Sequence, residues 1–324
     1  MLKDLPFAGA YLDDILVGLK SDAQHRDHIK AVLRKIDEWG FRLGLKKCKF
    51  FKSSVQFLGR LIDADGIHPD PAKIAAIQAM PAPKDVSSLR SFLGLVNYYQ
   101  NFVPMMRDLR QPLDELLKKD VAWRWNETEE NAVSAIKTAL TDRCMLTHFD
   151  TRLPITVAAD ASQYGMGGVL AHVFPDGSER PIQFFSRALN TAQTKYSQTE
   201  KEALALITAV KIFHRYLEGR HFTLYTDHKA LLSIFGPQSV KPSYALNRLH
   251  RWSIFLVGYN FDIKYTNTKE FGQADALSRL ISDARQIKDA FEEEEEIMNL
   301  LLTKRWSIQS LRYRLPQRIL LLLM

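Results

Sequence analysis

The chain has 324 residues, 46% of them apolar, with a formal net charge of +7. At ~100–200 residues per domain that suggests two or three domains with ordinary hydrophobic cores, and the basic excess points toward an anionic partner such as nucleic acid. Two cysteines, Cys48 and Cys144, with no CxxC pair and no Cys/His cluster, exclude a zinc module and a disulfide scaffold.

The stretch YLDDILV (residues 11–17) sets Asp13 and Asp14 between Leu12 and the apolar Ile15, Leu16 and Val17, the pattern of a short hairpin with its acids at the bend. Ile29, Val32, Leu33, Ile36 and Trp39 then recur at helical spacing, and Gly40 supplies a stop. VQFLGRLI (55–62) reads as a strand and DADG (63–66) as its turn. Pro81 and Pro83 break the chain, and Asp85 or Ser87 can cap a helix with Leu89, Phe92, Leu93, Val96, Tyr99 and Val103 on one face, ended by Pro104. A further helix begins at Asn126, with Glu129 three residues on as a capping box and Val133, Ile136 and Leu140 on its buried side.

From Leu153 the pattern changes. ITVAADAS, MGGVLAHVF and RPIQFFSR read as three strands, the last two joined by a PDGSE hairpin. YSQTEKEALALITAVKIFHRYL is a long helix, HFTLYTD a fourth strand, RLHRWSIFLVGY helical, NFDIKYT a fifth strand and ADALSRLI a closing helix. Such an order makes an α/β unit of roughly 130 residues. The acidic run Glu292–Glu296 and the basic tail after it are expected to be peripheral or disordered.

Four acids of this second half fall at element ends. Asp160 closes the first strand, Asp227 the fourth, Asp275 opens the last helix, and Glu202 lies near the start of the long helix. Singly, each has an ordinary reading as a turn acid, a helix-terminus acid or a solvated residue. Together, at the strand ends where α/β sites gather, they can converge on one cation site. The long helix offers an internal control. Ser197 and Glu200 have capping-box spacing, whereas Glu202 sits about 200° further round and is left to face a metal. Crowded carboxylates repel unless a cation neutralises them, and Mg²⁺ prefers such oxygen donors. No GxSxG elbow supports serine chemistry.

These motifs resemble a known family, the Pol polyprotein of gypsy-type LTR retrotransposons, over roughly residues 1–280. YLDDILV resembles the reverse-transcriptase palm motif. KKCKF, VQFLGRLIDADGIHPDPAKIAAI and LRSFLGLVNYYQNFVP resemble the later palm and the thumb. TVAADAS, YSQTEKEALAL, LYTDHKALL and QADALSRL resemble, in order, the four acid-bearing motifs of RNase H. The resemblance implies a partial palm over 1–80, a thumb/connection over 81–150, an RNase H-like domain over 151–282 and a peripheral tail over 283–324. It implies an α/β fold: an α+β palm remnant, then an RNase H-like five-stranded mixed sheet flanked by helices. Asp160, Glu202, Asp227 and Asp275 become catalytic carboxylates holding two Mg²⁺ ions, with Mn²⁺ as a substitute, and Asp13 and Asp14 the palm carboxylates. Arg187, Asn190 and Tyr196 become contacts to the substrate, an RNA–DNA hybrid; Tyr196 can equally be a staple at the start of the helix.

The implied activity is endonucleolytic hydrolysis of the hybrid's RNA strand. Lys46, Lys47, Lys49 and Lys52 can contact phosphates or form a solvated face. The family's third polymerase acid comes from a strand well upstream of YLDD, and only ten residues precede Tyr11, so the chain is expected not to extend a primer. Two other readings stand beside the nuclease: a non-catalytic nucleic-acid-binding remnant of a decayed element, and the C-terminal part of a full RNA-directed DNA polymerase. The stretch TNTKEFGQAD lacks the histidine that many relatives carry before the last acid, so product release is expected to rest on another group. Ile319–Met324 falls far short of the ~20 apolar residues of a membrane span, and no signal peptide is legible. The chain is expected to be soluble and intracellular, in cytoplasmic particles if it follows the family.

Overall fold

The computed structural model describes residues 2–18, 22–119, 121–141, 145–163, 165–236, 247–266 and 319–323. They form two compact units. The first gathers residues 1–74, 145–153 and 289–324, the second residues 75–144 and 154–288.

In the first unit, strands β1 (Ala8–Tyr11) and β2 (Asp14–Gly18) make the expected antiparallel hairpin, with Leu12 and Asp13 between them and Tyr11 opposite Asp14. Leu12 takes a left-handed φ of 50° at the tip and is 80% exposed, with Asp13 exposed beside it and Asp14 half-buried. Helix α1 (Asp22–Glu38) buries Ile29, Val32 and Ile36 in a cluster with Ile15 and Val17. Gly40, with φ of 71°, follows it as a left-handed stop, while Trp39 stays 61% exposed although it shares the helical spacing.

Strand β3 (Lys49–Lys52) precedes a feature that the sequence conceals. VQFLGRLI is not one strand but a hairpin, β4 (Val55–Phe57) and β5 (Arg60–Ile62), folded back at Leu58 and Gly59 with φ of 47° and 61°. Two positive φ values suit a tight hairpin turn, and a leucine is a poor advertisement for one. The DADG turn is as expected. Asp63 Oδ1 accepts from the amides of Asp65 and Gly66, both at 2.9 Å, and returns the chain into β6 (Ile67–Pro69). Within the tail expected to be peripheral, Ile319–Leu323 forms a strand, β12, antiparallel to both β2 and β3, giving the order β1-β2-β12-β3.

Helix α2 (Pro71–Ala79) leads from the first unit into the second. Helix α3 (Val86–Tyr98) is capped by Asp85, whose carboxylate accepts from Ser88 N at 2.7 Å, and buries Leu89, Phe92, Leu93 and Val96. Helix α4 (Met106–Glu115) was not legible, because Pro112 lies inside it. Helix α5 (Glu127–Thr141) shows one of the two bonds of the expected capping box: Asn126 N donates to Glu129 Oε2 at 2.9 Å. The second unit's sheet is built from β7 (Ile155–Ala161), β8 (Gly165–Val173), β9 (Glu179–Ala188), β10 (His221–Thr226) and β11 (Asn260–Tyr265) in the order β11-β10-β7-β8-β9. Strands β7, β8 and β9 run antiparallel, while β10 is parallel to β7 and to β11, so the sheet is the five-stranded mixed one expected. Helices α6 (Gln198–Ile212), α7 (His214–Leu217), α8 (Lys229–Phe235) and α9 (Asn247–Val257) complete the unit. The sheet is apolar at its centre because Val157, Leu170, Leu224, Leu206 and Val210 are all fully buried. Gly168 lets β8 lie close to its neighbours: a Cβ there would meet the Ala158 carbonyl at 2.7 Å.

Candidate metal and active site

Three carboxylates meet at one end of this sheet. Asp160 is the penultimate residue of β7, Asp227 follows the last residue of the parallel strand β10, and Glu202 projects from the second turn of α6. One carboxylate oxygen from each lies within 4.8 Å of the others. The fold explains the convergence. Thr223–Tyr225 pair in register with Thr156–Ala158, so the two strands end together, and α6 packs across β7. The helix is turned as its start dictates: Ser197 Oγ accepts from Glu200 N, and Glu200 Oε2 accepts from Ser197 N at 3.0 Å. Glu200 is thereby spent on the cap and on Arg248, leaving Glu202 to face the strands.

The carboxylates are held by backbone and amide donors. The amide of Ala161 donates to Asp160 Oδ1 at 2.8 Å and to Glu202 Oε2 at 3.2 Å. Gln198 Nε2 donates to Glu202 Oε1 at 2.5 Å and to the Ala161 carbonyl at 3.1 Å, tying α6 to the strand end. These donors do not offset burial and mutual repulsion. Burial first, then Asp227, push Asp160 up to about 6. Burial first, then Asp160 and Asp227, push Glu202 up to about 9. Both groups therefore resist ionising together in the absence of a counter-charge. The donor set is all oxygen, anionic and crowded, which suits a hard divalent cation.

Asp275 lies outside the described residues. Arg187 is exposed on β9, opposite Met166 of β8. Asn190 closes a local turn, its Oδ1 accepting from Gln193 N at 2.9 Å. Tyr196 carries the Arg248 guanidinium 3.8 Å above its ring, at the start of α6. Asp13 and Asp14 sit at the β1–β2 tip in the first unit, where burial first, then Asp13, raise the Asp14 carboxyl. Among Lys46, Lys47, Lys49 and Lys52, the last two lie on the exposed strand β3. One acid beside the site carries no sequence signal. Asp108 of α4 is raised to about 6 by burial, then by Asp160, against a smaller opposing effect of Arg107.

Comparison with known proteins places these features in context. Residues 4–62 match the family model for reverse transcriptase (RNA-dependent DNA polymerase), and residues 125–224 match an RNase H-like domain found in reverse transcriptase. The second match contains Asp160 and Glu202 and stops just short of Asp227. The chain is similar to the Transposon Tf2-3 polyprotein of Schizosaccharomyces pombe, 37% identical over 86% of this chain and 21% of that protein, and to the Tf2-7 polyprotein at 36%. It thus spans about a fifth of the length of these curated relatives. In fold it is similar to a foamy viral protease-reverse transcriptase solved in complex with an RNA/DNA hybrid, with a TM-score of 0.70 at 22% identity, covering 89% of this chain and 39% of that one. A second structure of that protein, with dsDNA, gives a TM-score of 0.68 at 23% identity over 82% of this chain and 56% of that one. Among the described residues no helix is long and apolar enough to cross a membrane.

Proposed function

The chain belongs to the Pol polyprotein family of LTR retrotransposons, with a reverse-transcriptase segment followed by an RNase H-like one, and on that premise we propose that its second unit cleaves the RNA strand of RNA–DNA hybrids. The observation that carries this reading is the meeting of Asp160, Glu202 and Asp227 within 4.8 Å. These three side chains would hold the cations, Mg²⁺ or Mn²⁺. Bound there, a pair of divalent cations supplies Lewis acidity and a nucleophilic water at neutral pH.

The chain's own residues supply position and field. The Ala161 amide fixes the Asp160 and Glu202 carboxylates relative to each other, and Gln198 fixes the Glu202 rotamer. Raised proton affinity at Asp160 and Glu202 means that cation uptake releases protons. Asp275 is proposed as a fourth carboxylate by the resemblance of QADALSRL. Arg187, Asn190 and Tyr196 are proposed to flank the hybrid on the same ground, with Asn190 and Tyr196 acting through the turn and the Arg248 stack that hold them.

The palm hairpin favours the nuclease over a polymerase. On the side away from β1, β2 pairs with β12, Ile-Leu-Leu-Leu-Leu, which sets Leu323 rather than an acid opposite Asp14. Asp13 and Asp14 receive no third carboxylate from it.

The experiment is hybrid cleavage with a matched binding measurement. With Mg²⁺ the chain should cut the RNA strand of a labelled hybrid and leave single-stranded RNA and duplex DNA intact. With Ca²⁺ it should bind the hybrid without cutting. Binding in both ions with cleavage in neither would instead identify a non-catalytic nucleic-acid-binding remnant.

A further inference from the structure

Helix α4 belongs to the same compact unit as the carboxylate site but precedes the RNase H-like match in sequence. Two contacts fix where its first turn lies. Met105, the N-cap residue, is fully buried, and a Cβ built on Gly167 would run into its sulfur; Gly167 is the strand partner of Asp160. Asp108, one turn on, lies so near Gly165 that a Cβ there would sit 3.1 Å from its Oδ1, in the bend that follows Asp160. The amide of Arg107 also donates to Ser186 Oγ on β9 at 3.1 Å. The first turn of α4 is therefore pinned to the strand end that carries Asp160.

Burial and Asp160 outweigh the only partial counter-charge that Arg107 gives the Asp108 carboxylate there. Its Oδ2 is enclosed and has no hydrogen-bond partner among the described residues. Two arginines are close in sequence, but both guanidinium groups are engaged by Asp114: Arg107 at 2.9 Å and Arg110 at 2.9 Å, the latter also donating to Asn97 Oδ1 at 3.0 Å. An enclosed acid beside another acid is costly unless something positive comes between them. Such an acid in the first turn of a helix can be explained by the helix dipole alone, which favours negative charge there. That explanation leaves unaddressed why its Oδ2 is enclosed and why Oδ1 stands against Gly165, in the bend that follows Asp160.

We propose that Asp108 is a positioning residue of the cation site, contributed by α4 from outside the RNase H-like segment, whose charge acts through Asp160 and through water on a hydrated divalent cation. The proposal rests on the metal reading of Asp160, Glu202 and Asp227. Its consequence is that cation binding and the seating of α4 support each other: the cation offsets the repulsion between Asp108 and Asp160.

The test is titration of the full chain with Mg²⁺ and, separately, Mn²⁺, followed by calorimetry, for the parent and for Asp108→Asn and Asp108→Ser. Loss of one nearby charge should weaken half-saturation by roughly tenfold in both variants alike, since charge and not shape is removed. Metal-free melting temperature should stay level or rise, because a repulsion has gone. A purely structural role for Asp108 would do the reverse, lowering the metal-free melting temperature and leaving half-saturation unchanged, and that result overturns the proposal. Parent protein that takes up no cation overturns the metal reading itself, and this inference with it. Equal uptake by parent and both variants overturns this inference alone.

Discussion

Replacing Asp227 by asparagine is expected to reduce hybrid cleavage by about a thousandfold or more, the equivalent of roughly 4 kcal/mol of transition-state stabilisation. Asp227 is the informative position because its charge bears on both of its partners in the triad. Glu202 accepts hydrogen bonds from Ala161 and Gln198, so its removal also loosens the tie between α6 and β7. Asp227 instead follows the last residue of β10, where its charge contributes to the raised proton affinity of both Asp160 and Glu202. Asparagine keeps the shape and removes the negative charge. Steady-state cleavage of a labelled hybrid, read beside hybrid affinity in Ca²⁺, checks this. The rate should collapse while affinity changes by no more than a few fold. A variant that cuts at the parental rate would remove Asp227 from the site.

The second large effect is a dependence of stability on pH that reverses with cation. In the folded chain Asp160 and Glu202 have proton affinities raised to about 6 and about 9, above the ordinary carboxylate range of ~4 in an unfolded chain. The folded state therefore binds these protons more tightly. The stability they confer is fully present below pH ~4 and is lost as pH rises through 6 and then 9. Metal-free protein should accordingly lose roughly a few kcal/mol between pH 6 and pH 9. His28 and His148 act in the opposite sense, since burial lowers both and neutral imidazole is regained as pH rises. Their contribution ends near pH 7 and is the same with or without Mg²⁺. The increment in melting temperature produced by Mg²⁺ isolates the carboxylates, and it should grow steadily from pH 6 to pH 9. An increment that is flat with pH would mean that the cation does not displace protons from Asp160 and Glu202.

Much of this arrangement was legible in the sequence where one local rule decided the outcome. The Ser197–Glu200 box fixed the phase of α6 and so left Glu202 free, and the Asp63 and Asp85 turns and caps form as their side chains dictate. The places of Asp160 and Asp227 at strand ends pointed to their convergence, and the parallel pairing of β7 with β10 that produces it came from the fold. What stayed hidden depended on residues that argue against their own conformation or on partners far apart in the chain. Leu58 at positive φ masks the β4–β5 turn, and Pro112 masks α4. Asp108 reads as an ordinary acid in RDLRQPLDE, because its significance comes from Gly165 and Asp160, more than fifty residues away. The tail strand β12 is five apolar residues with no register signal of their own; its place is set by β2 and β3.

The account stands on one physical statement, that the oxygens of Asp160, Glu202 and Asp227 share divalent cation. Its most direct measurement is anomalous diffraction from crystals of the chain grown with Mn²⁺. Anomalous density is expected among the three carboxylates, with oxygens of all three at the roughly 2.0–2.2 Å of hard-cation coordination or one water beyond it. Density that lies only at other acids, with these three side chains unoccupied and paired to one another through shared protons, would contradict it.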